Sequence, residues 1–260
     1  MKFFAEHYRY EHVQTLNMSE EGAVCIVRRR YDGEIAVIKF TYSETELKIL
    51  KKLGGKKHIV ELLGSLRKVP KPYSFGLVMP KYNGTAESWR GNQQERIHFM
   101  HQLFQAIQYC HSKSIVHQDI KPSNILVDER NDCLHVALTD FGLAQSCKRN
   151  QKLCDNVGTP QYMAPEVLGR KEYDFSVDIW SAGLVLYELS TGQSLLKLQS
   201  DGEILATINN IFSKPEEKKR KFSSIDSEES EFLKYLLQVQ SEKRPRASQV
   251  LKHPYLRKQK

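Results

Sequence analysis

Cysteine is scarce in this chain of 260 residues: five cysteines are scattered along it, and no two have the spacing of a zinc site or a disulfide framework. This usage favours a reduced, intracellular protein over a secreted one. Long apolar runs are absent, so the sequence predicts no membrane-spanning helix and no membrane partner. The first seven residues, MKFFAEH, are too polar for a signal peptide. These absences argue against secreted disulfide scaffolds and integral membrane proteins.

Acidic residues are outnumbered by basic ones, 31 against 39, and the formal net charge is +8 at pH 7. A basic surface favours acidic partners such as phosphates, acidic protein segments or nucleic acid. A solvated basic surface without a dedicated partner fits the same numbers. Two basic clusters, at 28–30 and 218–221, lack the interleaved aromatic residues of a nucleic-acid-binding module. We therefore expect no direct sequence-specific binding of nucleic acid.

Short strands and one helix are predicted at the start of the chain. Apolar runs at 23–28 and 34–40 flank the turn signal YDG, which predicts a hairpin. Leucines recur at helical spacing within 44–53, and 77–79 reads as a buried strand. Pro80 and the following Asn-Gly pair then mark a natural boundary.

Beyond this boundary the pattern turns helical. Apolar stripes at helical spacing predict three helices, at 96–112, 178–190 and 231–240. Core packing explains the stripe at 96–112 without any functional role. The charged, proline-containing stretch 214–221 reads as an exposed loop.

Five short signals follow one another along the chain, and their order matters more than any one match. They are Lys39 ending the apolar strand AVIK, Glu46 on the next helix, HQDIKPSN at 117–124, DFG at 140–142 and GTPQYMAPE at 158–166. Each could occur alone by chance. The complete series resembles the protein-kinase superfamily over essentially the whole chain.

The resemblance implies an α+β, two-lobed protein kinase fold in a single domain, 1–260. The N-lobe, 1–80, would be small and mainly β with one helix, αC. The hinge and a larger helical C-lobe would occupy 81–260. Residues 121–124, KPSN, resemble serine/threonine kinases rather than tyrosine kinases, and Thr159 resembles the residue that ties the substrate loop to the catalytic loop in that branch. Protein serine and threonine side chains are therefore the expected substrates.

The same resemblance implies roles for individual residues around ATP and Mg²⁺. Phosphoryl transfer needs positioning and charge neutralisation more than covalent chemistry. Asp119 would accept the proton of the substrate hydroxyl, and Lys121 would neutralise the γ-phosphate. Asn124 and Asp140 would bind Mg²⁺, which prefers hard oxygen ligands. Lys39 would hold the α- and β-phosphates.

Further positions of the ATP site follow from the matched motifs, with Glu46 holding Lys39 in place and Met79 as gatekeeper. The remaining contacts implied for the nucleotide are Leu16, Gly22, Val24, Ala36, Lys81, Tyr82 and Leu126. Asp178 would anchor the backbone of the catalytic loop. Glu166 and Arg244 would form a buried, structural ion pair.

Two features depart from the family pattern. Residues 17–22, NMSEEG, stand where the family has a glycine-rich loop, and only Gly22 survives, so weak ATP affinity is expected. Gln118 stands where most kinases have the arginine that pairs with an activation-loop phosphate. Between Gly142 and Gly158 the only hydroxyl is that of Ser146. Both observations on the loop argue against activation by phosphorylation there.

A narrower resemblance, to the cell division cycle seven (Dbf-dependent) kinases of DNA replication, is carried by six segments: 46–55, 78–80, 140–145, 180–183, 190–192 and 200–206. It implies a cell-cycle kinase of the nucleus with an activating regulatory subunit. The basic run 218–221, in a predicted loop, would serve as the import signal. The long insertions of that family are absent. A compact cyclin-dependent-like kinase and a pseudokinase scaffold remain as alternatives.

Overall fold

Strands with alternating apolar side chains form a sheet between residues 10 and 80. The computed structural model describes residues 9–18, 22–130, 133–148 and 151–258. They fall into two units, Met1–Asn83 and Gly84–Lys260. The first unit holds a five-stranded antiparallel sheet in the order β1-β2-β3-β5-β4. Its strands are β1 Tyr10–Met18, β2 Gly22–Arg29, β3 Ile35–Thr41, β4 Gly64–Leu66 and β5 Phe75–Pro80.

The core of the first unit lies on one face of this sheet. Ala36, Ile38 and Phe40 of β3 are buried, and the side chains between them are less so. This period of two is what a half-buried strand requires. In β2, Val27 is buried in the same cluster, together with Val78 of β5. The predicted hairpin and the predicted strand at 77–79 are both present.

Helix α1, Glu44–Leu53, has the bounds that its leucine spacing predicted. The Ser43 side chain accepts the backbone N–H of Glu46 at 3.0 Å, an N-cap that stabilises a helix by about 1 kcal/mol. The helix ends at Gly54, which has a left-handed φ of 61° and donates its N–H to Leu50. These caps fix where α1 starts and ends, and so fix the position of Glu46.

The second unit is mainly helical. Its helices are α2 Gln93–Ser112, α3 Pro165–Leu168, α4 Ser176–Thr191, α5 Asp201–Ser213, α6 Pro215–Phe222, α7 Ser227–Leu236 and α8 Ala247–Val250. Helix α4 is buried around most of its circumference, with Ile179, Trp180 and Leu186 at its centre. A helix that is apolar all round belongs in a core, and α4 forms the interior of this unit.

The second unit also contains five short strands within the described residues. They are β6 Gly84–Thr85, β7 Ile115–Val116, β8 Ile125–Arg130, β9 Cys133–Leu138 and β10 Gln145–Ser146. One sheet has the order β6-β8-β9, and β10 pairs with β7. Within the described ranges, no helix is long and apolar enough to cross a bilayer.

The prediction of an exposed loop at 214–221 was wrong, because these residues form helix α6. Pro215 occupies the first turn, where its missing N–H costs nothing. Glutamates follow in the first turn and Lys219, Arg220 and Lys221 in the last, which suits the helix dipole. Helix α7 also differs from its prediction, since it begins at Ser227 and ends at Leu236 rather than covering 231–240.

Candidate active site

The segment 117–124 follows β7, and one carboxylate binds the backbone at its start. Asp178 of α4 accepts the backbone N–H groups of His117 and Gln118, both at 3.0 Å. It also bonds the ring of His111 at 2.8 Å. Burial alone would raise the pKa of Asp178, but the bond and charge of His111 and the N–H of His117 outweigh it and lower that pKa. Asp178 therefore anchors this loop as a carboxylate, as predicted.

The carboxylate of Asp119 is the centre of the loop. Its Oδ1 accepts the backbone N–H of Thr159 at 3.0 Å and the Thr159 hydroxyl at 2.7 Å. Its Oδ2 lies 2.9 Å from both the Asn124 amide nitrogen and the Lys121 ammonium. Lys121 in turn donates to the Thr159 hydroxyl at 2.7 Å. Three residues from two sequence signals, 117–124 and 158–166, thus converge on one carboxylate.

Asp140 carries the second carboxylate of the site and lies two residues after the end of β9. Leu138 pairs with Ile125, and the N–H of Thr139 donates to the carbonyl of Asn124 at 3.0 Å. This backbone pairing places Asp140 next to the segment that carries Asn124. Asp140 has a left-handed φ of 60°, and its Oδ1 accepts the N–H of Gly142 at 3.2 Å.

Carboxylate and amide oxygens are suitable ligands for Mg²⁺, so the donor set of Asp140 and Asn124 fits the predicted ion.

Phe141 is fully buried and contacts the ring of His117 edge-on, with centroids 4.8 Å apart. The His117 Nε2 donates to the carbonyl of Thr139 at 2.9 Å, and its Nδ1 accepts the N–H of Asp119 at 3.3 Å. These two bonds require the tautomer that carries its proton on Nε2. His117 therefore joins the segment before Asp140 to the segment that contains Asp119.

In the first unit, the predicted pair of Lys39 and Glu46 is formed. The Lys39 ammonium lies 2.7 Å from Glu46 Oε1. Glu46 is only 2% exposed, so the pair is shielded from water on the glutamate side. Lys39 lies opposite Val24 on β2 and Leu77 on β5. A central strand and a capped helix thus set the positions of the two charges.

Comparison with known proteins decides the family. The protein kinase domain model matches residues 10–256. The chain belongs to the protein kinase family. It is 37% identical over 171 residues to human myosin light chain kinase family member 4, a match that covers 65% of this chain and 43% of the relative. It is 29% identical over 249 residues to a probable myosin light chain kinase of Dictyostelium discoideum, and this match covers 91% of this chain and 60% of the relative.

A third relative is calcium-dependent protein kinase 5 of Plasmodium falciparum, 34% identical over 170 residues, with 64% of this chain and 29% of the relative covered. The chain thus spans between 29% and 60% of the length of these three relatives. Their names do not support the narrower resemblance to the cell division cycle seven kinases. The family itself, and the two-part fold with a β-sheet unit followed by a helical unit, agree with the sequence-based expectation.

Most of the kinase's predicted ATP contacts in the first unit lie on strands of one sheet, and Lys81 and Tyr82 follow its strand β5. Val24, Ala36 and Met79 occupy β2, β3 and β5. Ala36 and Met79 are buried, whereas Leu16 on β1 is 53% exposed and Lys81 is exposed. Tyr82 is partly buried. Leu126 belongs to β8 of the second unit. None of these nucleotide roles is tested, and they stay predictions.

Gly22, the surviving glycine of the degenerate loop, has a structural reason to be glycine. A Cβ at this position would lie 2.6 Å from the carbonyl oxygen of Phe40. The glycine therefore lets β2 approach β3 closely. The loop residues 19–21 lie outside the described residues, so the expectation of weak ATP affinity stays a prediction.

The kinase's buried ion pair between Glu166 and Arg244 is present as predicted. The guanidinium donates two parallel bonds to the carboxylate, at 2.6 and 2.7 Å. Arg244 also lies over the ring of Trp180, 5.1 Å from its centroid. A bidentate arginine–carboxylate pair fixes geometry as well as charge. It joins the end of the motif at 158–166 to the segment after α7.

One contact beside the catalytic loop was missed at the sequence level. The Gln118 amide nitrogen donates to the Tyr173 hydroxyl at 2.5 Å, across 55 residues of sequence. Nothing local to either residue signals this bond. The substitution of glutamine for the usual arginine was noticed, but its partner could not be inferred from sequence spacing.

Proposed function

We propose that this chain is a serine/threonine protein kinase that transfers the γ-phosphoryl group of ATP to hydroxyl groups of protein substrates. The observation that supports it most is the Asp119 carboxylate held between Lys121, Asn124 and Thr159 at 2.7–3.0 Å. A scaffold has no need for a carboxylate, an ammonium and an amide in this arrangement. A hydroxyl acceptor needs a carboxylate that can take its proton.

In the proposed reaction, the oxygen of the substrate hydroxyl attacks the γ-phosphorus of ATP, and the bond to the leaving ADP oxygen breaks. The hydroxyl proton passes to Asp119. Lys121, beside Asp119, neutralises charge on the transferred group, and Lys39 holds the other phosphates. Mg²⁺ held by Asn124 and Asp140 would neutralise the phosphate oxygens. Most of the catalysis is thus positioning and electrostatics.

The test is transfer of label from γ-labelled ATP to peptides that differ only in the acceptor, serine, threonine or tyrosine. We expect transfer to serine and threonine, with little to tyrosine. Asp119→Asn should lower the turnover number by about 10²–10⁴-fold while ATP binding, measured by calorimetry, persists. Turnover near the wild-type value in this variant would overturn the assignment of Asp119.

A pseudokinase scaffold is the second candidate, favoured by the degenerate loop at 17–22. Nucleotide binding in the presence of magnesium without any turnover, over the full set of peptides, would favour this candidate. The intact set of Lys39, Glu46, Asp119, Asn124 and Asp140 favours catalysis.

A nuclear replication role is supported by the sequence segments that resemble the cell division cycle seven kinases. A substrate panel with replication-initiation proteins in one arm and a myosin light chain in the other separates this role from the activity that the relatives' names describe. Faster phosphorylation of the replication proteins would support the nuclear proposal. Preference for the myosin light chain would overturn it.

Helix α6 weakens the case for an import signal at 218–221. Lys218 lies over the ring of Phe212, 5.4 Å from its centroid, and Arg220 pairs with Glu217 at 2.6 Å. Two of the four cations are therefore engaged within the fold. Replacing all four with alanine tests the signal directly, and an unchanged cellular distribution would remove this support for the nucleus.

An activating regulatory subunit was expected from the same resemblance. The contact between Lys39 and Glu46 forms within the single chain, which favours intrinsic packing as the means of holding the helix α1 in place. A partner can shift such a helix only by binding one position better than another. The turnover of the purified chain, compared with that of the chain co-purified with bound proteins, distinguishes the two mechanisms.

A further inference from the structure

Gln118 stands directly before the proposed base, and its backbone is strained. Its φ is 70°, in the left-handed region that few residues other than glycine adopt. The bond from its N–H to Asp178, at 3.0 Å, holds this conformation in place. Strain of this kind persists only where the surrounding structure holds it. Gln118 is buried, and its side chain ends on a buried partner.

The side chain of Gln118 ends on Tyr173, which is only 2% exposed. The amide nitrogen donates to the phenol oxygen at 2.5 Å. Within the described residues, no protein group donates to the amide oxygen of Gln118. Burial raises the pKa of Tyr173 to about 12, so its hydroxyl stays protonated at neutral pH. The bond to Tyr173 is the directional contact that this side chain makes in the described part of the chain.

Tyr173 is in turn paired with the segment 151–158, which we call the activation segment. The N–H of Leu153 donates to the carbonyl of Tyr173 at 2.8 Å, and the N–H of Tyr173 donates back to Leu153 at 2.9 Å. The neighbours Lys152 and Asp174 form an ion pair at 2.5 Å. Tyr173 therefore connects Gln118 to the activation segment through one side-chain bond and two backbone bonds.

The far end of the activation segment meets Gln118 directly. Gly158 has a φ of 118°, and a Cβ there would lie 2.6 Å from the Gln118 carbonyl oxygen. The next residue, Thr159, bonds Asp119 through both its N–H and its hydroxyl. Gln118 thus contacts the activation segment at both ends, once through Tyr173 and once at Gly158.

We propose that Gln118 is a positioning residue that holds the activation segment beside Asp119 through its bond to Tyr173, without any phosphate. The inference rests on the proposed kinase function. The arginine that most kinases have at this position pairs with a phosphate on the segment through a charge-assisted bond, which is lost when the phosphate is absent. The bond from an amide to a phenol is neutral. It therefore forms whether or not the segment is modified, and salt screens it little.

The test is a double-mutant cycle of Gln118→Met, Tyr173→Phe and the two combined, in the full chain. The first readout is hydrogen exchange at the amides of Leu153 and Tyr173. We expect each single change to accelerate exchange at these two amides by about 5-fold to 30-fold, and the combined change to add little more. A multiplied effect in the combined variant, or none in either single variant, would overturn the inference.

The second readout is kinetic. The three variants should lose turnover on a peptide substrate by a similar factor, while the Michaelis constant for ATP changes little. Tyr187→Phe is the matched control: Tyr187 lies on α4, outside the activation segment, and its hydroxyl donates to the Lys221 carbonyl at 3.1 Å. This variant also loses one hydrogen bond of a tyrosine hydroxyl, and its exchange at Leu153 and its turnover should match the wild type.

Phosphatase treatment completes the design. The wild-type turnover should be the same before and after treatment, and a loss after treatment would overturn the independence from phosphate. The arms also separate the two proposals. Absence of turnover on every substrate would count against the kinase function. The hydrogen-exchange measurements of the double-mutant cycle would still test whether the bond between Gln118 and Tyr173 holds the activation segment. Normal turnover with unaltered exchange in the variants would refute the positioning role alone.

Discussion

The Lys121 ammonium donates a hydrogen bond to the Thr159 hydroxyl at 2.7 Å, and that hydroxyl donates one to Asp119 Oδ1 at the same distance. The hydroxyl therefore accepts from a cation and donates to an anion at once. Such a group orders both charges, because each bond is charge-assisted. Lys121 and Thr159 are 38 positions apart in sequence, so the bond between them closes a loop that starts and ends at the candidate site.

Thr159→Val should therefore lower the turnover number without unfolding the chain. Hydrogen bonds to charged groups contribute about 1.5–3 kcal/mol each, so a loss of about 10-fold to 100-fold is expected. Steady-state kinetics on a serine peptide measures it. Thr159→Ser keeps the hydroxyl and should retain most of the turnover. Equal losses in both variants would show that the methyl group, and not the hydroxyl, matters.

The pair of Lys39 and Glu46 makes a separate prediction about ATP. Glu46→Gln keeps a side chain of the same shape but removes the charge that holds Lys39. We expect the Michaelis constant for ATP to rise by about 10-fold or more, since the loss of a buried charge partner costs upwards of 1.4 kcal/mol. Lys39→Met should show a larger effect, on turnover as well.

The control for this pair is Glu44→Gln. Glu44 is on the same helix and pairs with Lys48 at 3.1 Å, but both side chains are exposed. Exposed pairs of this kind contribute little, so ATP kinetics should not change. A Michaelis constant that is unchanged in Glu46→Gln would contradict the role assigned to Glu46.

Sequence pattern was sufficient wherever the signal was local. The bounds of α1 follow from its leucine spacing and its caps at Ser43 and Gly54, which all lie within a dozen residues. Helix α5 was indicated only by the resemblance of 200–206 to a later helix of the cell division cycle seven kinases, although Ser200 and Glu203 form a capping box, a signal that the sequence does contain. For α6, Pro215 was taken as a loop signal when it opens the first turn of a helix.

The non-local contacts divide in a similar way. The pairs of Lys39 with Glu46 and of Glu166 with Arg244 could be predicted, because the matched motifs supply both partners. The bond between Gln118 and Tyr173 could not, because the residue that replaces the usual arginine has a partner set by packing rather than by motif. Departures from a family pattern are thus where the structure adds most to the sequence.

Ser146 offers a test of activation through the loop. It is exposed, and its strand β10 pairs with β7 next to the catalytic loop. Ser146 is the sole hydroxyl between Gly142 and Gly158, and Gln118 offers no charge to a phosphate. Ser146→Ala should therefore leave turnover within about 2-fold of the wild type, a difference well below 1 kcal/mol. A loss of 10-fold or more, by the same peptide assay, would show that modification of Ser146 contributes to activity.

The last prediction concerns stability and the pair of Glu166 and Arg244. Arg244 is buried, and besides Glu166 it donates to the carbonyls of Gln238, Val239 and Ser176. Arg244→Met removes these donors and leaves the Glu166 carboxylate buried without its partner. Breaking a buried pair from one side costs about 3–5 kcal/mol. Urea unfolding followed by circular dichroism should show a loss of this size.

Two further variants make the stability prediction specific. Arg220→Met breaks the exposed pair with Glu217 on α6, and it should cost less than about 1 kcal/mol. The combined variant Glu166→Met with Arg244→Met removes both charges, so it should recover much of the loss seen in Arg244→Met alone. If the combined variant is instead less stable than Arg244→Met, the bonds from Arg244 to the three carbonyls, and not the charge left on Glu166, account for the loss.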